Sequence, residues 1–336
     1  MSAIFSITLP FFALVLCGYL AARQGVLPAT AIPGLNAFVL YFALPCMLFR
    51  FGNRLPVGTL FDPALVGIYF ASALVMVGFT LAVTWGGGPA PGLGLRDAAF
   101  GALVAAFPNT GFMGVPLLVA LLGQAAAGPA IGVLVVDLVF TSTLCIAIAE
   151  SQPRSDEEAA FDDDRDRPGA AAAFWRSLRG VAANPLPWAI GLGSLAGLAG
   201  LHLPGPLAQI VAMLGDAATP VALFTIGAVL WRAGQHVHGR TPLRRTLPVA
   251  LFKLLLHPAL VLAIGLLAKA AGATVTPFGL SVLVLMAALP SASNVSLLAE
   301  RYGADNGRIA RIVMASTVLA FGSFSLLVAL FGRAPG

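Results

Sequence analysis

The sequence predicts an all-α polytopic membrane protein: ten transmembrane helices in two inverted five-helix repeats, the fourth and ninth helices interrupted. Three observations carry this prediction. Of 336 residues, 59% are hydrophobic and only 10% charged, against about 25% charged in soluble domains, and mean hydropathy is +0.92. Ten apolar stretches are each long enough to cross, or nearly cross, a bilayer. Two of them carry proline and polar residues at mid-length, in matching places.

The ten stretches are 3–22, 34–49, 64–85, 98–122, 128–149, 185–203, 207–231, 247–271, 275–299 and 309–331. No Lys or Arg precedes the first, so it reads as a retained helix and not as a secretory signal, which needs a positive leading region. Ten spans place both termini on one side. If that side is the outer, periplasmic one, fourteen arginines fall in inner loops, among them Arg232, Arg244, Arg245, Arg301, Arg308 and Arg311. Only Arg50, Arg54, Lys269 and Arg333 fall outside. That split follows the positive-inside bias and predicts a multi-pass protein of the cytoplasmic (inner) membrane.

The run "SDEEAAFDDDRDRPG" (155–169) holds seven of the fourteen acids. It lacks periodicity and reads as a solvated cytoplasmic linker. The predicted organisation is therefore 1–150 for the first repeat, 151–174 for the charged linker and 175–336 for the second repeat. Cys17, Cys46 and Cys145 all lie in apolar spans and fit neither a metal-binding spacing nor a disulfide framework. No cofactor and no metal site is predicted, and the charge gives no reason to expect nucleic acid.

The two halves resemble one another. "ALPCMLF" (43–49) in the second span meets "ATPVALF" (218–224) in the seventh, so Pro45 matches Pro220. "AAFPNTGFMG" in the fourth meets "AALPSASNVS" in the ninth, so Pro108 matches Pro290. Gly123 and Gly303 close the two segments, and "FTST" (140–143) matches "MAST" (314–317). Five spans per half is odd, so the second copy enters from the opposite face. Paired Gly/Pro-interrupted segments at corresponding places point to the binding site of a secondary transporter.

The fourth span states the problem such segments raise. Pro108, Asn109, Thr110 and Gly111 stand where lipid would leave backbone polar groups unsatisfied, and irregular chain survives there only against protein or water. Pro108 lacks an N–H, and Gly111 is expected to take positive φ. Each arm is about 15 Å long at 1.5 Å per residue, half of a ~30 Å hydrocarbon core, so the break falls at the midplane. The half-helix N-termini carry partial positive charge and suit an anion. Pro290, Ser291, Ser293 and Asn294 form the second break. The eight residues are the expected substrate-binding set, with Asn109 and Asn294 capping the half-helices in a shared polar chamber. The competing reading is a proline kink closed by neighbouring hydroxyls.

The segments "LNAFVLYFALPCMLF" (35–49), "PNTGFMGVPLL" (108–118), "LGDAATPVALFTIGAVL" (214–230) and "LPSASNVSLLAERYGAD" (289–305) resemble those of the auxin efflux carrier family. That family includes plant auxin exporters and bacterial permeases for malonate or malate. The resemblance covers essentially all ten spans. It implies crossed broken helices 4 and 9, a scaffold of helices 1, 2, 6 and 7, and a transport domain of helices 3–5 and 8–10. It also implies a homodimer and an elevator-type secondary transporter of small organic anions. The long cytosolic loop of the plant exporters is much shorter here, so their loop regulation does not carry over.

Other intramembrane polar residues are candidates for coupling or gating. Asp137 lies deep in the fifth span, where an ionisable group is a functional hypothesis by default. It either carries a coupling proton or makes a structural hydrogen bond. Lys253 and His257 share a face of the eighth span. Lys253 either pairs with Asp137, attracts an anion or snorkels to the interface; His257 is a partner or a satisfied core histidine. Asp216 precedes Thr219 and Pro220, where the seventh span is expected to unwind; it reads as a cation ligand or a cap. Coupling to protons or Na+ stays open at this level. So does a proton- or sodium-coupled symporter of the bile-acid-transporter type, or a receptor or channel on the carrier fold. Enzyme chemistry is not expected. No G-x-x-x-x-G-K-[ST] loop is present, "MLGDA" lacks the glycine of a GxGD aspartyl motif, and there is no H-E-x-x-H.

Overall fold

The structure is a computed structural model and describes residues 2–55, 58, 61–86, 93–151, 175, 179, 182–201, 203–235 and 243–332. The linker expected at 151–174 lies outside the described residues except for Ser151. The rest is helical. The first half comprises α1 (Ser2–Arg23), α2 (Ile32–Phe38), α3 (Leu44–Arg54), α4 (Pro63–Thr84), α5 (Leu95–Ala106), α6 (Val115–Leu122), α7 (Ala127–Val136) and α8 (Ser142–Glu150). The second comprises α9 (Pro185–Leu198), α10 (Gly205–Gln235), α11 (Leu243–Leu251), α12 (His257–Ala270), α13 (Pro277–Ala287), α14 (Asn294–Arg301) and α15 (Asn306–Phe331). Six helical segments are long and apolar enough to cross a bilayer, and Thr8–Arg23, Thr110–Leu122, Pro185–Leu198 and Pro277–Ala287 are shorter apolar helices. Two of these four owe their shortness to the breaks after α5 and α13.

Helix starts follow from local chemistry. Asp62 accepts hydrogen bonds from Ala64 N and Leu65 N ahead of α4, Asn184 from Leu186 N ahead of α9, and Thr276 from Gly279 N ahead of α13. In each case the next residue is proline, which has no N–H to leave unsatisfied in the first turn. Prolines inside the segments act differently. Three π-helical turns each end two residues before one: Val39–Ala43 before Pro45, Thr110–Gly114 before Pro116, and Phe252–Leu256 before Pro258. The widened turn moves the chain past a residue that cannot donate and whose ring would strike the preceding carbonyl. A fourth π turn, Asp137–Thr141, has no proline; there the Ser142 hydroxyl donates to the Asp137 carbonyl at 2.8 Å.

Pro220 produces neither effect. It lies inside the continuous helix α10, so the expected unwinding of the seventh span does not occur. The reason is packing. α10 is clamped against α1, where a Cβ at Gly18 would sit 1.8 Å from Phe224 O and one at Gly227 would sit 1.8 Å from Val15 O. α3 and α9 pack as closely, with a Cβ at Gly193 meeting Phe49 O at 2.3 Å and one at Gly52 meeting Ile190 O at 2.6 Å. Small residues that let backbones touch are how helices associate without a hydrophobic driving force.

α5 and α13 each contain a long fully enclosed run. Every residue from Ala98 to Ala106 in α5 and from Val282 to Ala287 in α13 is buried. A helix apolar all round belongs in the middle of a protein, and these two carry the breaks.

Candidate functional site at the crossing of two broken helices

The two breaks meet. Pro108 and Ser291 face each other in an isolated antiparallel bridge. Asn109 N donates to Pro290 O at 2.8 Å, and Ala292 N donates to Phe107 O at 3.0 Å. In such a bridge the facing pair exchanges no hydrogen bond; the flanking residues do. Pro108 thus occupies a position where a missing N–H leaves no gap. The chain then makes an inverse γ-turn: Asn109 has φ −76° and ψ 62°, and Thr110 N donates to Pro108 O at 2.7 Å. Gly111 does not take positive φ. The γ-turn at Asn109 achieves the reversal, and Gly111 sits within the π turn.

Orphaned carbonyls at the breaks are met by side chains. Val104 O would ordinarily accept from residue 108, but Pro108 has no N–H; the Ser291 hydroxyl donates to it at 2.7 Å. Ser291 N is held in turn by Ser316 Oγ at 3.1 Å, which diverts it from Ala287 O. Ala287 ends α13, and its carbonyl takes a 2.7 Å bond from Lys253 Nζ. An ammonium on the last carbonyl of a helix meets the negative end of the dipole. Lys253 is 0% exposed, which overturns the snorkelling reading.

Lys253 also bonds His257 Nδ1 at 3.0 Å. Where Lys253 is an ammonium it can only donate, and in that pairing Nδ1 bears the lone pair and Nε2 the proton. Nε2 has no partner among the described residues. The His257 ring lies 5.7 Å from that of Tyr69, whose hydroxyl spans both Asp137 oxygens at 3.1 and 3.2 Å. Thr141 Oγ1 adds a 3.4 Å bond to Asp137. Asp137, Tyr69, His257 and Lys253 are all fully buried and form one polar string from α4, the Asp137–Thr141 turn and the turn before α12 to the end of α13.

Asp216 stands apart. It is an exposed partner of Arg50, at 2.6 Å, with its side chain 71% accessible; it neither caps a helix nor lies at the crossing. Asn109, Thr110, Pro290, Ser291 and Ser293 are buried at the crossing, and Asn294 is half-buried there. The Thr110 hydroxyl has no partner among the described residues. Neither Asn109 nor Ser293 makes a side-chain capping bond, and Asn294 is the first residue of α14 and not its cap. The expected capping role of the asparagines is absent: the bridge pairs Asn109 N and Ala292 N through the main chain, and neither asparagine side chain caps the half-helix that follows.

The breaks touch through their main chains. Two cavities lie away from the bridge. One, of about 380 Å³, is lined by Thr30, Val229, Arg232, Ser296, Glu300 and Asn306 among others. The other, of about 290 Å³, is lined by Arg50, Arg54, Val119, Gln124, Asp216 and Thr219 among others. Thr219 and Val229 are ten residues apart on α10, about 15 Å at 1.5 Å per residue. Each cavity follows one half-helix that leaves the crossing, α14 or α6. Those two helices end alike, with Gly123 at φ 85° and Gly303 at φ 68°.

Tyr69, Ser316 and Arg50 gain roles here that the sequence did not assign. A signal existed for Ser316 in the "MAST" match. Tyr69 gave none, since an aromatic in an apolar span is ordinary.

A family model described as "Membrane transport protein" matches residues 3–328. The "Putative malonate transporter" of Rhizobium meliloti (strain 1021) is 28% identical over 340 residues, covering 98% of this chain and 96% of that protein. The "Uncharacterized transporter YfdV" of Escherichia coli (strain K12) is 24% identical over 313 residues, covering 93% and 92%.

Proposed function

The chain belongs to the auxin efflux carrier family of membrane transport proteins, and from that premise we propose that it carries small organic anions across the cytoplasmic membrane by alternating access. The carboxylate class, with malonate first, is drawn from the name of the Rhizobium meliloti relative. The observation that carries the reading is the crossing itself. Two half-helices, the Thr110–Gly114 turn with α6 and α14, begin there. Their free N–H groups give a positive potential without a basic side chain, and the unpartnered Thr110 hydroxyl stands beside them.

In this reading the chain forms ten spans in two inverted repeats, with both termini outside. The glycine-locked pairs α1–α10 and α3–α9 are the scaffold. Helices α4 to α8 and α11 to α15 move as an elevator, and two copies associate through the scaffold. A second reading concerns energy: transport is coupled to a proton on Asp137. It is favoured by the buried contact of Asp137 with Tyr69 and Thr141, in a string that also holds Lys253 and His257.

The test is uptake of radiolabelled malonate and malate into proteoliposomes. Asn109→Ala and Asn294→Ala should each lower uptake at least tenfold while keeping the wild-type elution profile and unfolding midpoint. Wild-type uptake in both variants would overturn the substrate site, and a wild-type protein that moves no carboxylate would overturn the substrate class.

A further inference from the structure

The cavity of about 290 Å³ has two unlike walls. One belongs to α3 and α10 and carries Arg50, Arg54 and Asp216; the other belongs to α6 and carries Pro116, Val119 and Ala120, with Gln124 just beyond. Arg50 uses a single nitrogen for its protein contacts: Nη1 donates to Asp216 Oδ1 at 2.6 Å and to Ala212 O at 3.3 Å. A guanidinium offers five donors in a planar fork. Its strongest partner is a carboxylate held by two parallel bonds, and Asp216 takes only one. Arg54, one helical turn further on, has no partner among the described residues. Residues four apart share a helix face, with Cβ atoms about 5–6 Å apart.

The cavity thus holds two guanidinium groups against one carboxylate. The cavity of about 380 Å³ at the other end of α10 has one charge of each sign, Arg232 and Glu300. One short helix, α6, runs from the crossing to the wall of the cation-rich cavity. Pro116 in that wall is two residues beyond the Thr110–Gly114 turn that begins at the crossing.

We propose that Arg50 and Arg54 form a capture site for short dicarboxylates on one face of the membrane, from which the anion passes along α6 to the crossing. One carboxylate of the ligand takes the free edge of Arg50 and the other takes Arg54. Asp216 holds the Arg50 fork in place and keeps the net charge at one, so the anion is drawn in but released. The proposal rests on the carrier reading above and adds to it a sided preference: the apparent affinity is higher from the face where Arg50 lies. Phosphate of a lipid headgroup has the same chemistry and is the rival ligand.

Two experiments test it. In sided proteoliposomes, Arg54→Gln should raise KM for malonate about tenfold from the Arg50 face, leaving KM from the opposite face and kcat unchanged. Asp216→Asn should lower the same KM two- to threefold. Equal KM changes from both faces, or none, would overturn the proposal. The second experiment reads binding without transport. In a background with Cys17, Cys46 and Cys145 replaced by serine, Val119→Cys is labelled with a membrane-impermeant maleimide. Malonate should slow labelling at least fivefold in vesicles of neutral phosphatidylcholine, and Arg54→Gln should abolish the protection. Protection in a protein that moves no carboxylate would keep the capture site and remove the carrier reading. Normal transport without protection would do the reverse. Protection lost in phosphatidylglycerol vesicles would assign the pair to lipid and overturn the proposal.

Discussion

Ser291 stands in for the amide that Pro108 lacks: its hydroxyl reaches the Val104 carbonyl at 2.7 Å, the acceptor that a residue-108 N–H would otherwise use. The second break therefore supplies what the first is missing. Ser291→Ala leaves a buried carbonyl unpaired, a loss of about 1–3 kcal/mol. A lower unfolding midpoint in detergent is expected, with Ser291→Thr restoring part of it. An unchanged midpoint for the alanine variant would show that the bond contributes nothing.

Lys253 should be coupled to Asp137 through their shared buried surroundings, although no direct bond joins them among the described residues. Removing one buried charge while leaving another is destabilising by about 3–5 kcal/mol, so Lys253→Met alone should be severe. Lys253→Met with Asp137→Asn should be milder than the sum of the single losses by at least about 0.5 kcal/mol. Additive losses in chemical denaturation would mean that the two sites act independently.

Asp137→Asn keeps the shape and the acceptor for Tyr69 while removing the ionisable group. If Asp137 carries the coupling proton, the variant transports down a substrate gradient but no longer responds to an imposed pH gradient. Uptake at several pH gradients checks this. A variant that still accumulates substrate against its gradient with the wild-type pH profile would exclude that role.

Glycines in two helices should respond in opposite directions. Gly18→Ala places a methyl within 1.8 Å of a main-chain oxygen, so α1 and α10 must separate and the midpoint should fall sharply. Gly78, in α4, has nothing within 4 Å of an added Cβ. Gly78→Ala should stabilise by roughly 0.5–1 kcal/mol, the usual gain in helix propensity. Equal responses would contradict the close packing of α1 on α10.

Much of this was legible in the residues. Proline followed by polar residues in an apolar span announces an interrupted helix, and Pro108, before Asn109, and Pro290, before Ser291, do interrupt theirs. Proline alone does not: Pro220 leaves α10 continuous because glycine contacts with α1 hold it, and those contacts join residues some two hundred positions apart. The crossing was harder still. That residues 107–109 bond residues 290–292 depends on pairing across the whole chain, which no local pattern encodes. For the same reason Gly111 drew a role that the Asn109 turn performs. For Lys253 the sequence left pairing with Asp137, an anion site and snorkelling all open, since its position two turns into a helix says nothing of the α13 carbonyl waiting beside it.

The bridge between the two interrupted helices is written in main-chain atoms. Amides and carbonyls are common to every residue, so exchanging the side chains at 109, 110, 293 and 294 should leave the join standing. If those side chains select the anion, as proposed above, selectivity and framework are separable in this molecule. A library varied at those four positions is therefore expected to yield folded proteins that differ in cargo.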